Sequence, residues 1–222
     1  KKLEIKKALE KYDESMIPKE EEKSLVRETV VINTADEFNS VLSALRESDA
    51  FAFDIDIDSD GLSLDSTGQL TLDFSEKKET LIIVTKTHKY ETDINSVNNA
   101  LNAFSDILIS YCNSVNKDSD NGKYAVTYDL KTQLRILNKE ELLDVSLSGY
   151  FFDTLIAAYL LNPNMSSYSI EEPLDKFEEL KQKLIEQEMF KLFTDIEMPL
   201  CFVLASMEKD GIILLKDDLY KY

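Results

Sequence analysis

The stretch Phe51-Ala52-Phe53-Asp54-Ile55-Asp56-Ile57-Asp58-Ser59-Asp60-Gly61 sets an aspartate at every second position and ends on a glycine. As a loop, Asp56 to Gly61 matches the opening of a calcium-binding EF-hand, D-x-D-x-D-G. That loop needs a bidentate glutamate at its twelfth position. Counted from Asp56, the twelfth residue is Thr67, which offers one oxygen. The lead-in Ala50-Phe51-Ala52-Phe53 is short, aromatic and apolar, the pattern of a strand rather than of the helix an EF-hand requires. As a strand, the stretch sends Asp54 and Asp56 to one face and Ile55 and Ile57 into the core. Neighbouring carboxylates repel unless a cation lies between them. Such a pair at a strand end suits magnesium-dependent phosphoryl transfer. Taken alone, the stretch is more simply a hydrated acidic strand end, so other segments decide.

The chain has 222 residues, enough for one large domain or one domain with an extension. It is 43% hydrophobic and 31% charged, which supplies a core without long polar tracts. With only five glycines and four prolines it favours regular elements. No apolar run reaches membrane-spanning length and no signal peptide is visible, so the expectation is a cytoplasmic protein with no membrane partner. Cys112 and Cys201 sit in apolar surroundings and are expected to be reduced, buried thiols. There is no Cys/His zinc spacing, and the single His88 is expected at the surface. The formal net charge of −18 opposes nucleic-acid binding by the chain as a whole, since that affinity comes mainly from lysine and arginine on phosphates. The chain lacks an initial Met and stops at Lys216-Asp217-Asp218-Leu219-Tyr220, in what looks like a helix start, so it is expected to be part of a longer protein.

Along the chain, residues 1–28 form a charge-dense extension, with a short helix and a linker expected before Lys23. Thr29 to Ile32 is expected to be a strand. Thr34-Ala35-Asp36-Glu37 is a capping box that opens a helix bearing Phe38, Val41, Leu42 and Leu45. Ala50 to Asp56 is the Asp-bearing strand. Leu70–Phe74 and Thr80–Val84 are expected as two strands of a meander. Val97, Leu101, Phe104, Ile107 and Leu108 make a helical stripe. Lys123 to Tyr128 is a strand, and Asp129 opens the helix of Leu130, Leu134 and Leu137. Asp144 to Leu147 is expected as a short strand, and Phe152 to Leu155 leads into a helix stopped at Asn162-Pro163. From Pro173 to Asp210 the pattern is helical nearly throughout, with Gly211 at the C-terminal stop. The expected fold class is α/β, a mixed sheet flanked by helices with a helical C-terminal exit.

Several of these segments resemble family A DNA polymerases, the bacterial DNA polymerase I type. FAFDIDIDS resembles the first exonuclease motif, F-D-T-E-T. KYAVTYDLKTQL resembles the second, N-L-K-Y-D, and FFDTLIAAYLLNP the helix F-D-T/L…YLL-x-P. DIEMPLCFVLASMEKDGI, Asp195 to Ile212, resembles the helix that leaves the exonuclease domain for the polymerase thumb. The resemblance implies a ribonuclease H-like fold of the DEDD exonuclease type over residues 29–194, with 195–222 leading toward the thumb. It also implies a role in DNA replication and repair, with the polymerase domain of the same chain as partner and DNA bound through the whole protein. In active members four carboxylates hold two divalent ions that remove a mispaired 3′ nucleotide.

Carried over by position, Asp54 matches the first acidic ligand, and Asp56 stands where the family has glutamate. It is one methylene shorter, ~1.5 Å, which magnesium tolerates poorly. Asp129 matches the acid of the second motif, and the asparagine four residues before it is replaced by Ala125. The third motif, Tyr-x-x-x-Asp, is not found between Pro173 and Thr194, where Asp175 is the one aspartate and lies seven residues after Tyr168. Asp54, Asp56 and Asp129 are therefore expected to be vestigial catalytic and metal ligands with weak binding or none. The domain is expected to be a degenerate proofreading domain kept for structure, with no cofactor, or with Mg2+ or Mn2+ if active. The alternatives are an active Mg2+/Mn2+-dependent 3′–5′ exonuclease on single-stranded DNA ends, or an RNA exonuclease of the ribonuclease D kind. Asp129 serves equally as the N-cap of its helix.

Overall fold

The computed structural model describes residues 27–57, 62–64, 70–72, 79–113, 123–165, 167, 168, 170 and 172–211. The extension expected over residues 1–23, Thr67, Asp58 and Asp60 all lie outside the described residues. The Asp-bearing stretch is a strand, β2 (Ala50–Asp56), whose exposure alternates as the 2-residue period requires: Phe53 and Ile55 are buried, Asp54 and Asp56 exposed. It is a central strand of a six-stranded mixed sheet. Its partners are β1 (Glu28–Ile32), β5 (Thr80–Val84), β6 (His88–Asp93), β7 (Tyr124–Thr127) and β8 (Phe151–Asp153), in the order β1-β6-β5-β2-β7-β8. Strand β2 runs antiparallel to β5 and parallel to β7, and β7 runs parallel to β8.

Helices cover the sheet because its apolar residues alternate to both faces. Helix α1 (Ala35–Leu45) starts at the expected capping box: Glu37 N–H donates to Thr34 Oγ1 at 3.3 Å, and Thr34 N–H donates to the Glu37 carboxylate at 3.2 Å. It packs with α2 (Ala100–Asn113) on the face that carries Phe51 and Phe53. There Phe53 meets Phe104 edge-on at 5.3 Å between ring centroids, and Phe51 meets Tyr111 at 5.1 Å. Helix α3 (Leu130–Leu137) follows β7, and α4 (Thr154–Leu161) follows β8. Helix α5 (Pro173–Glu186) sets Phe177 between Tyr124 and Phe152. A short turn and one π-helical turn, Phe193–Glu197, then lead into α6 (Met198–Asp210), which ends at Gly211 with φ 67°, the left-handed stop expected there. Residues 195–210, expected to lead out of the domain, lie against it: Met198, Cys201, Phe202 and Ala205 are buried, and Phe202 stacks edge-on to Phe151 at 5.6 Å.

Two expected strands differ. Leu70–Leu72 (β4) pairs with Leu62–Leu64 (β3) in a separate two-stranded ribbon and not with Thr80–Val84, whose outer neighbour is β6. Strand β6 went unread because His-Lys-Tyr-Glu-Thr-Asp carries too few apolar residues to show an alternation. Asp144–Leu147 is not a strand but part of a run of 3₁₀ turns through Tyr150, and Asp144 accepts from the Ser146 N–H at 2.8 Å as its cap. The strand is the next three residues, Phe151–Asp153, all buried. His88 is part-exposed and stacks on Tyr90, with ring centroids 5.7 Å apart. Among the described residues no helix is long and apolar enough to cross a membrane.

Candidate functional site

The site forms where β7 peels away from β2. The two strands pair only from Ala50 to Ala52, after which the chain turns at Tyr128-Asp129 into α3. Beyond that point Gln133 of α3 replaces the lost ladder partner. Its Oε1 accepts from the Ile55 N–H at 2.9 Å, and its Nε2 donates to Asp54 Oδ1 at 2.9 Å. Gln133 is 4% exposed, so both halves of its amide must be satisfied, and both are. Asp54 is thus fixed on the open side of the sheet, beside Asp56. Its side chain reaches water, yet the surrounding protein raises its pKa, first by burial and then by repulsion from Asp56.

Asp129 takes the left-handed region, φ 57° and ψ 66°, which aspartate enters more readily than most residues. From there its carboxylate accepts from Thr132 Oγ1 at 2.7 Å and from the Thr132 N–H at 3.4 Å, capping α3. The N-cap role foreseen for it is therefore present. Asp153 was missed in the sequence. It is 1% exposed, ends β8, and takes four backbone N–H groups: those of Leu155 and Ile156 at the start of α4, and those of Asp129 and Leu130 at the start of α3. Burial pushes its carboxyl up to about 6 against the pull of those donors. An aspartate directly before a helical run, as in Phe152-Asp153-Thr154, was the available signal.

The three sequence-derived aspartates stand in two neighbourhoods, Asp54 beside Asp56 and Asp129 beside Asp153. Among the described residues, no three His, Cys, Asp or Glu side chains gather closely enough to hold a metal ion. Asp175, the one aspartate of the region expected to bear the third motif, is in the first turn of α5. It is engaged by Arg27, whose guanidinium pairs with both Asp175 oxygens and with Glu172 at 2.9 Å while its Nε donates to the Thr85 carbonyl at 2.7 Å.

A cavity of about 420 Å3 opens between the sheet and the start of α5. Asp54, Lys89, Arg27 and Tyr128 line it over a floor that includes Ile82 and Val84. Tyr128 donates its hydroxyl to the Tyr168 carbonyl, and burial, then Asp129 and Asp153, raise its pKa. The two cysteines are free and buried as expected, and burial lifts both thiols to about 12, which removes them as nucleophiles.

No family model matches the chain, and no curated protein does. Among solved structures, the catalytic core of RRP6 from Trypanosoma brucei matches with a TM-score of 0.54 at 15% identity, over 81% of this chain. The match covers 53% of that protein, so the chain spans about half the length of this neighbour. Trypanosoma brucei RNase D in complex with RNA U12 matches with a TM-score of 0.38 at 13% identity, over 62% of this chain and 41% of that one. The Aedes aegypti Nibbler EXO domain gives 0.36 at 14%, over 82% and 88%. The chain therefore has the ribonuclease H-like fold of DEDD exonucleases, a mixed six-stranded sheet flanked by helices.

Proposed function

We propose that this domain is a 3′–5′ exonuclease-type domain, nearer in kind to ribonuclease D than to the proofreading domain of a polymerase. In this reading its carboxylate set has decayed, so that it holds the 3′ end of a single strand better than it cleaves it. The observation that carries this is the position of Asp54. It is held by Gln133 and lines a cavity of nucleotide size, on the DEDD exonuclease fold, while Asp175 pairs with Arg27. Catalytic carboxylates act as a unit, so a set missing members keeps only a small part of its rate. The net charge of −18 keeps binding weak, with an expected Kd of about 10–100 µM at physiological salt, the range of non-specific contacts.

The test uses 5′-labelled single strands of one sequence, as RNA and as DNA, with Mn2+. The expected result is slow shortening from the 3′ end, RNA serving at least as well as DNA, and loss of shortening in Asp54→Ala. Shortening that survives Asp54→Ala, or starts at the 5′ end, defeats the proposal. Shortening of DNA alone would return the domain to the polymerase reading. That second reading rests on one observation: Asp195 to Gly211 carries the E-x-P-L and M-E-x-x-G pattern and forms a helical stretch that stops at Gly211.

A further inference from the structure

The cavity beside Asp54 is lined by two cations, Arg27 and Lys89, and two carboxylates, Asp54 and Glu172. Three of the four have ionic partners. Arg27 pairs with Glu172 at 2.9 Å and with Asp175, and Lys89 pairs with Glu91 at 2.9 Å. Asp54 differs. Among the described residues its side-chain donor is the neutral amide of Gln133, at 2.9 Å. A carboxylate has about four acceptor sites, so Asp54 keeps capacity to accept from a ligand. Gln133 is 4% exposed and does not line the cavity, so Asp54 stands between it and the open space.

The charges of the lining select what enters. Asp54 and Glu172 count against a phosphate inside the cavity, and Arg27 and Lys89 count against a free cation. The group that fits is neutral, with hydroxyl donors for Asp54 and a flat apolar body for the wall of Ile82, Val84, Ile170 and Leu174. The nucleoside at the 3′ end of a strand is such a group. Its sugar hydroxyls donate, its base is flat, and its phosphate lies toward the rest of the strand, outside the cavity. That arrangement suits a chain of net charge −18.

Building on the reading that the domain holds a 3′ end, we propose that Asp54 accepts directly from the hydroxyls of the terminal sugar, with no ion between them. Gln133 is the positioning residue that aims it. One amide does both parts of this work: its Oε1 fixes the backbone of the strand at the Ile55 N–H, and its Nε2 fixes the carboxylate one residue before. The terminal nucleoside is held before any cleavage and independently of it.

The test is fluorescence anisotropy in EDTA at physiological salt, which stops shortening and removes divalent ions. The probes are one 5′-labelled RNA sequence with three ends: the natural 2′,3′-diol, a 2′,3′-dideoxy end and a 3′-phosphate. The expected result is binding of the diol end about tenfold tighter than of either other end, the scale of a hydrogen bond to a charged acceptor. Asp54→Asn, which turns an NH2 toward the ligand, should bring the diol and dideoxy ends to one affinity. Gln133→Met should narrow the same gap to less than about threefold. The comparison of ends on the unaltered chain stands even where a variant fails to fold. Equal binding of diol and dideoxy ends overturns the proposal and leaves the 3′-end reading in place. A gap that appears only after Mn2+ is added overturns it in favour of an ion between Asp54 and the sugar. A 3′-phosphate bound as tightly as the diol overturns the selection by charge, and a gap that survives Asp54→Asn overturns the role of Asp54. Failure of every strand to bind defeats the reading itself, and this proposal with it.

Discussion

Asp153 joins the starts of two helices, and the cost of altering it can be worked out from its four donors. Both of its oxygens face N–H groups, so Asp153→Asn must turn an NH2 toward at least one of them. The expected loss is about 1–3 kcal/mol of unfolding free energy in a denaturant titration. Asp153→Ala removes two helix caps together and should cost about 2–4 kcal/mol. The pH dependence has a definite sign. The folded carboxyl titrates at about 6, above its ordinary value of 3.8, so the native state holds its proton more tightly than the unfolded chain does. This group therefore stabilises most below pH ~4, and its contribution falls as pH rises through 6 and is flat above that. Parallel stability curves for the parent and Asp153→Asn should converge toward pH 7, and curves that stay parallel from pH 4 to 7 would refute the assignment. Asp129 was legible as an N-cap because aspartate before a helical run announces itself. Asp153 carried the same local signal for α4, but its second role was not legible, because it depends on β7 and β8 being neighbours, which places the Leu130 N–H beside a residue 23 positions later. The left-handed backbone at Asp129 left no mark in the sequence.

At the scale of elements, β2, α1 and α6 could be read because each has a strong local pattern: alternation, a capping box and a glycine stop. Strands β6 and β8 could not. One is nearly all polar, and the other is three residues long with every side chain buried. Helix α6 buries Phe202 against Phe151, and Phe202→Ala should cost about 3–5 kcal/mol, the range for emptying a buried aromatic site. A loss below about 1 kcal/mol in thermal or denaturant unfolding would mean that α6 is only laid against the domain. Arg27 is the corresponding device on the other side, joining the edge of the sheet to the start of α5. Its side chain is 6% exposed and Asp175 19%, so Arg27→Met leaves a poorly solvated carboxylate pair without its cation. The expected cost is about 2 kcal/mol, below the full figure for a buried pair because Glu172 still reaches water. The same substitution should loosen α5 first, seen as faster amide exchange in residues 173–177 than in α2.

For the whole molecule, the fold class was readable from the order of strands and helices and from the aspartate-bearing strand, and the six-stranded mixed sheet agrees with it. The placement of the candidate carboxylates was not readable. Sequence could count carboxylates, but whether three of them converge depends on where β7 leaves β2 and on Arg27, 148 positions from Asp175. The strongly acidic surface gives a further expectation: what nucleic-acid binding exists rests on few phosphate contacts, so its affinity should fall with a shallow slope in log salt, with fewer than about three ions released. We propose that the fold has kept its aspartates without gathering them into a two-ion centre. A calorimetric titration of the chain with Mn2+ tests it most directly. One site of millimolar affinity, abolished by Asp54→Ala and unaffected by Asp175→Asn, is the predicted result; a two-ion isotherm of submicromolar affinity would contradict it.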